Sequence, residues 1–178
     1  MSQKLTSKVA IPKDSNYIIR CTEEKFGPSK SSGNPMITLN FEVVAPEEVI
    51  VKGEAYNIAG ARVSPMYLTT QSMKDGEVDV EKTSAAAGRI EKMYNAFGLD
   101  FSTFNPENPT LGFKGKEVFA ALYADEDVVR KDPTPEQLKR GEQGDPQVNP
   151  VTGKDRIQYF TKIDEIFGLA KKDPTKPY

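Results

Sequence analysis

Histidine is absent from this chain of 178 residues, and cysteine occurs once, as Cys21. The first absence removes the usual general base near neutral pH, the Ser-His and Cys-His nucleophile pairs, and every histidine-bearing zinc site. The second leaves no internal disulfide and no zinc ribbon; inside an alternating apolar run, Cys21 reads as a small buried side chain. Long hydrophobic runs are missing too. Nothing approaches the roughly 18 residues that span a bilayer, and the opening MSQKLTSKVAIPKDS holds no apolar stretch of signal-peptide length. No membrane association and a cytoplasmic location are therefore expected. Gly153-Lys154 lacks a glycine at 148 and a hydroxyl residue at 155, so it does not make a phosphate-binding loop.

Carboxylates are plentiful, 26 in all. Their one tight cluster, Asp125, Glu126 and Asp127, lies in a segment rich in Pro, Gly and charge, where a solvated loop is expected rather than a magnesium site. No catalytic residue, metal or cofactor is assigned on this reading, and a binding protein is expected rather than an enzyme.

What is present points to β structure. Pro and Gly each number 13, which signals many turns in a chain of single-domain length. Over residues 16–25, Tyr17, Ile19 and Cys21 alternate against Ile18, Arg20 and Thr22, the period of a half-buried strand. FGPSKSSGNP, residues 26–35, is a run of turn formers and reads as a hairpin loop. In MITLNFEVV, Ile37, Leu39, Phe41 and Val43 face one way, giving a second strand. Residues 49–63 read as a third, long and bent, with Gly53 and Gly60 at its bends.

The period then changes. From Lys82 to Phe97, Ala86, Ile90, Met93 and Phe97 make one helical face apolar, with Thr83 or Ser84 as the N-terminal cap and Gly98 at the other end. Residues 99–113 read as a connecting loop with aromatic packing, and 115–124 as a fourth strand apolar on both faces. Residues 125–156, with four prolines and no sustained apolar period, form a long loop of the kind that is functional or disordered. A fifth strand over 157–166 leaves a loosely held tail at 168–178.

Three strands, a helix, a strand, a long loop and a last strand is the order of the OB-fold, a five-strand Greek-key barrel with a helix between strands three and four. A different sandwich, or an open sheet with one helix, would use the same strands. On the OB reading the chain is one mainly β domain with its core over about 16–167, and the loops at 26–35 and 125–156 flank the ligand groove.

YIIRCTEEKFGPSKSSGNPMITLNFEVV, a glycine-bearing strand, a helix ending in FGLDF, GKEVFAALYADE and TGKDRIQYFTKIDEIF together resemble the small single-stranded DNA-binding proteins that bacteriophages encode beside their replication and recombination genes. The resemblance implies an OB-fold and sequence-tolerant binding of single-stranded DNA in replication, recombination or repair. It implies replication or recombination proteins as further partners, and the host cytoplasm as location. KKDPTKPY at the end departs from the acidic tip through which many such proteins recruit partners.

Such binding needs cations that displace counterions from phosphates and rings on which bases stack, worth about 1–3 kcal/mol per base. The candidates are Arg20, Lys25, Phe26 and Lys30 near the first hairpin, Tyr56 and Arg62 near the third stretch, and Lys116, Phe119, Tyr123, Lys154, Arg156, Phe160 and Lys162 near the last two strands. Phe26, read as a loop residue, is the preferred stacking ring, whereas Tyr17, Phe41 and Phe97 fit core positions. The net charge is −2, but residues 1–30 carry six Lys and Arg against three carboxylates, while residues 31–81 carry three against eight. Weak net basicity favours the alternative, a protein-interaction or structural module with no nucleic-acid binding. A magnesium-dependent nuclease using the Asp125 cluster is a further alternative.

Overall fold

The computed structural model describes residues 1–170. Along the chain run β1 (Gln3–Lys4), β2 (Asp14–Pro28), β3 (Pro35–Ala45), β4 (Glu48–Val51), β5 (Glu54–Asn57), β6 (Arg62–Thr69), β7 (Met73–Lys74), β8 (Glu77–Val78), α1 (Val80–Ala96), β9 (Glu117–Val128), α2 (Pro135–Lys139) and β10 (Ile157–Leu169). The domain is mainly β, and its centre is a five-stranded antiparallel sheet in the order β10-β9-β2-β3-β6. The alternation in β3 is complete: Ile37, Leu39, Phe41 and Val43 are buried, and the residues between them are half-buried.

Because each neighbour in that order is antiparallel, the end strands β6 and β10 run in the same direction. They approach within 8 Å, so the sheet curls upon itself, although no ladder joins them among the described residues. The N-terminal segment instead links the small β1-β5-β4 sheet to β10. β1 pairs in parallel with β5, the Leu5 amide donates to the Asn57 carbonyl at 3.1 Å, and the Tyr159 amide donates to the Ser7 carbonyl at 2.7 Å. Ile11 is buried behind this segment, and the Tyr17 hydroxyl donates to the Pro12 carbonyl at 2.6 Å.

The helix closes one side of the core. Its N-cap is Asp79, whose carboxylate accepts from the Lys82 amide at 3.1 Å; Thr83 lies inside the helix, where its hydroxyl instead meets Ser72. A carboxylate one turn earlier thus displaces the expected Thr83 or Ser84 cap. At the other end Gly98, at φ 65°, lets the Gly98 and Leu99 amides donate back to the Asn95 and Tyr94 carbonyls, which stops the helix. Ile90, Met93 and Phe97 join the core as their spacing predicts, and Tyr94 joins them. Its ring meets Phe101, Phe104 and Phe113 edge-on at centroid distances of 5.6, 5.6 and 5.1 Å, so the aromatic connecting segment is a packed lid on the helix.

Several expected boundaries move for local reasons. Residues 49–63 are not one bent strand. Lys52 and Gly53 both take positive φ, 52° and 83°, which makes a tight two-residue β4–β5 hairpin, and the third strand of the main sheet is β6, lying beyond it. β2 runs on through Phe26 and Gly27 to Pro28, because those residues pair with Ile37, Met36 and Pro35. The tight connection is therefore only residues 29–34.

β9 likewise extends to Val128, so Asp125, Glu126 and Asp127 lie on a strand rather than in a loop. β10 reaches Leu169, so residues 168–169 are sheet rather than tail, and the Ala170 amide donates to the Glu117 carbonyl at 2.9 Å. The rest of the expected tail, 171–178, lies outside the described residues. Among the described residues no helix is long and apolar enough to cross a membrane.

Burial pushes the Cys21 thiol from its ordinary 9.0 up to about 11, with the nearby Glu24 carboxylate adding to the effect. The Tyr17 hydroxyl is pushed from 10.0 up to about 12 by burial and by Asp14. Both acids resist ionising in the fold and ionise more readily once unfolded. Their stabilisation is therefore complete below pH ~9 and is lost as the pH rises through the folded values. Urea denaturation between pH 8 and 12 should show a falling midpoint, and Tyr17→Phe should flatten the upper part of that fall.

Candidate nucleic-acid interface

The outward side of the sheet is set by a bulge. Cys21 pairs with Phe41 but Glu23 pairs with Asn40, so β2 gains a residue there and its side chains change sides. Beyond the bulge, Glu24 is level with the buried Leu39, and its carboxylate accepts from the Phe113 and Lys114 amides at 2.7 and 3.2 Å. Phe26 pairs with fully buried Ile37 and packs against the core. It is thus a half-buried strand residue, and the loop exposure that favoured it as a stacking ring is gone. Lys25 points the other way.

Lys25, Thr38 and Tyr67 form one row across β2, β3 and β6, and Gly27, Met36 and Thr69 form the next. With the Ser29–Ser32 turn and Lys30 they line an open cleft of about 770 Å³. Tyr67 is 61% exposed, more than any other aromatic ring among the described residues. The cleft's one carboxylate, Glu23, accepts from Asn40 Nδ2 at 2.8 Å. Tyr67 was legible in principle, since Met66, Leu68 and Tyr67 continue the alternation beyond Val63, where the third stretch was taken to end.

Two further clefts continue from the N-terminal end of β6. Arg62 and Phe160 line, with Lys4, a cleft of about 540 Å³ between β6 and β10 that has no carboxylate in its lining. Ser7 belongs both to this cleft and to the next, about 750 Å³, where Lys154 and Arg156 stand with Lys8 beside a single carboxylate, Asp155. Lys4 and Lys8 were not among the expected site residues. None of Lys4, Lys8, Lys25, Lys30, Arg62, Lys154 and Arg156 is ion-paired among the described residues.

Other candidates are occupied elsewhere. Arg20 Nη2 meets Glu117 at 2.6 Å and Nη1 meets Glu42 at 3.2 Å, and the Glu117 hydrogen bond pushes the guanidinium above its already high ordinary value. Lys162 is ion-paired with Asp125, which pushes its ammonium above the usual lysine range. Tyr56 belongs to the small β1-β5-β4 sheet, packs against the core and donates to Glu54 at 2.8 Å. Lys116 is half-buried at the turn entering β9, away from the clefts.

Phe119, 39% exposed, and half-buried Tyr123 lie on the outer side of β9, where Tyr123 is level with Lys162 and Asp125 with Phe160. Those rings share their face with Asp125 and Asp127. Glu126 points to the opposite side of the strand, so the three carboxylates do not converge.

No family model, curated protein or solved structure matches the chain.

The inward and outward rings make a direct comparison. Phe26→Ala should cost about 1–3 kcal/mol of stability by urea denaturation, less than a fully buried Phe. Tyr67→Ala should stay within about 0.5 kcal/mol of the parent.

Proposed function

We propose that this chain is a sequence-tolerant single-stranded DNA-binding protein built as an OB-fold, and not an enzyme. The strand order fits a five-strand Greek-key barrel: β2, β3, β6, β9 and β10 stand for its successive strands, α1 falls between the third and fourth, and the two end strands approach in parallel. In that fold the outer side of strands two and three, flanked by the loops after strands one and four, is where oligonucleotides lie.

The observation that carries the reading is Tyr67, a bare ring in a cleft that it shares with Lys25 and Lys30 and whose only carboxylate is engaged. A bare ring offers any base a stacking surface, and unpaired cations nearby neutralise phosphates without selecting sequence. Lys4 and Arg62 in the edge cleft and Lys8, Lys154 and Arg156 at the arm, unpaired among the described residues, make a net charge of −2 compatible with a locally positive track. The likeness of the sequence to phage single-strand binders adds a role in phage DNA replication, recombination or repair, in the host cytoplasm.

A second reading, a protein-docking module, draws on Phe119 and Phe167, 39% and 50% exposed, since Phe119 is the register partner of Gly168. Replication or recombination proteins are partners of the right kind for such a patch.

Titration of a fluorescent oligonucleotide at two salt concentrations tests the main reading. Four to seven phosphate contacts should give a slope of log Kobs against log salt of about −3 to −5. Tyr67→Ala should weaken binding by about 1–3 kcal/mol, and Lys30→Ala should both weaken it and make the slope shallower. No binding at low salt would end the nucleic-acid reading and leave the docking module.

A further inference from the structure

Between β9 and β10 the chain does not form a loose loop. Val129 and Arg156 bond at 2.8 Å, Gln147 bonds back to Val129 and Arg156 to Gln147, and a bridge joins Val148 to Asp155. The arm is a narrow hairpin, with the segment carrying α2 pinned to its side where Lys131 bonds to Asp145 and Gln137 Nε2 donates to Asp145 at 3.0 Å. Its end is a tight turn in which the Asn149 and Lys154 backbones meet at 2.8 Å, the Gly153 amide donates to the Asn149 carbonyl, and the Val151 amide donates to Asn149 Oδ1.

At the point of this ordered turn stands Val151, 90% exposed, next to Pro150. An apolar residue held outward on a rigid turn contributes nothing to the core.

The surroundings of that point are specific. On one side is the cleft of about 750 Å³ with Lys8, Lys154 and Arg156, lined in part by the turn residues Asn149 and Thr152. On the other is a cleft of about 480 Å³ containing Lys131 and Arg156, lined in part by Val148 and Pro150. The two clefts share Arg156, with Lys8, Lys154 and Asp155 in the first and Lys131 in the second, so the apolar tip projects between two clefts that each hold cations.

We propose that the arm is a strand-separating wedge acting where duplex meets single strand. Pro150 and Val151 seat on the exposed stacking face of the terminal base pair, and the two diverging backbones enter the two clefts. Apolar side chains inserted at base steps take the place of stacking that is lost when the step opens. Cations on both sides reward the separated phosphates but not the paired ones. The first of these clefts adjoins the groove between β6 and β10 through Ser7, so one separated strand continues onto the proposed single-strand track. This inference rests on the nucleic-acid reading.

The test uses the full chain, a forked DNA with a fluorescent base analogue at its junction, and the matching single strand. Parent protein should raise the junction signal. Val151→Ser, a change at an exposed side chain that leaves the fold intact, should bind the single strand within about twofold of parent while the junction signal falls by roughly threefold or more. Lys131→Ala should weaken binding to the fork more than to the single strand. An unchanged junction signal in Val151→Ser, or equal losses on fork and single strand, overturns the wedge and leaves single-strand binding standing. Failure of the parent to bind the single strand overturns both.

Discussion

A single extra residue in β2 governs the outward face of this domain. Strands have a side-chain period of two, so a one-residue change of register exchanges the two faces from that point onward. Before the bulge, Tyr17, Ile19 and Cys21 point into the core; after it, Glu24 and Phe26 do, and Lys25 faces out beside Thr38 and Tyr67. The same strand is shared between two neighbours, with Asp14–Arg20 against β9 and Ile18–Pro28 against β3, and the bulge falls just beyond the end of the β9 pairing. Glu24 turns inward at a point where two backbone amides await it, which offsets the burial of a carboxylate near the core.

Electrostatics on this surface work by subtraction. Arg20 sits between Glu117 and Glu42, and Lys162 against Asp125. Exposed pairs of this kind add little stability. Their effect is to remove those cations from the supply available to a polyanion. Among the cations with no ion pair in the described residues, Lys25 and Lys30 line the β2–β3–β6 cleft, Lys4 and Arg62 the gap between β6 and β10, and Lys8, Lys154 and Arg156 the root of the arm. On the proposed reading these groups let a near-neutral chain present a locally positive surface, since the clefts they line hold only Glu23 and Asp155 as carboxylates.

Much of the architecture was legible from residue pattern. Complete alternation marked β3, a change of period marked α1, and the apolar positions Ile90, Met93 and Phe97 marked its buried side. The long hairpin was misread because its order comes from backbone pairing and from capping contacts such as Thr134 with Gln137, which leave no apolar period behind. The hairpin at Lys52-Gly53 was hidden for a related reason: a lysine at positive φ is uncommon, so only the glycine signalled a turn.

The sequence by itself determined the strands β2, β3, β9 and β10 in outline, the helix α1 with its buried face, and the exclusion of histidine-based chemistry, internal disulfides and zinc ribbons, because these follow from local period and from composition. Only the tertiary structure decided which side Lys25, Phe26 and Tyr67 face, which cations are already paired, and that Val151 stands between two cationic clefts. Those properties depend on register and on contacts between residues far apart in the chain, and a bulge or a cross-strand carboxylate leaves almost no trace in the order of the residues themselves.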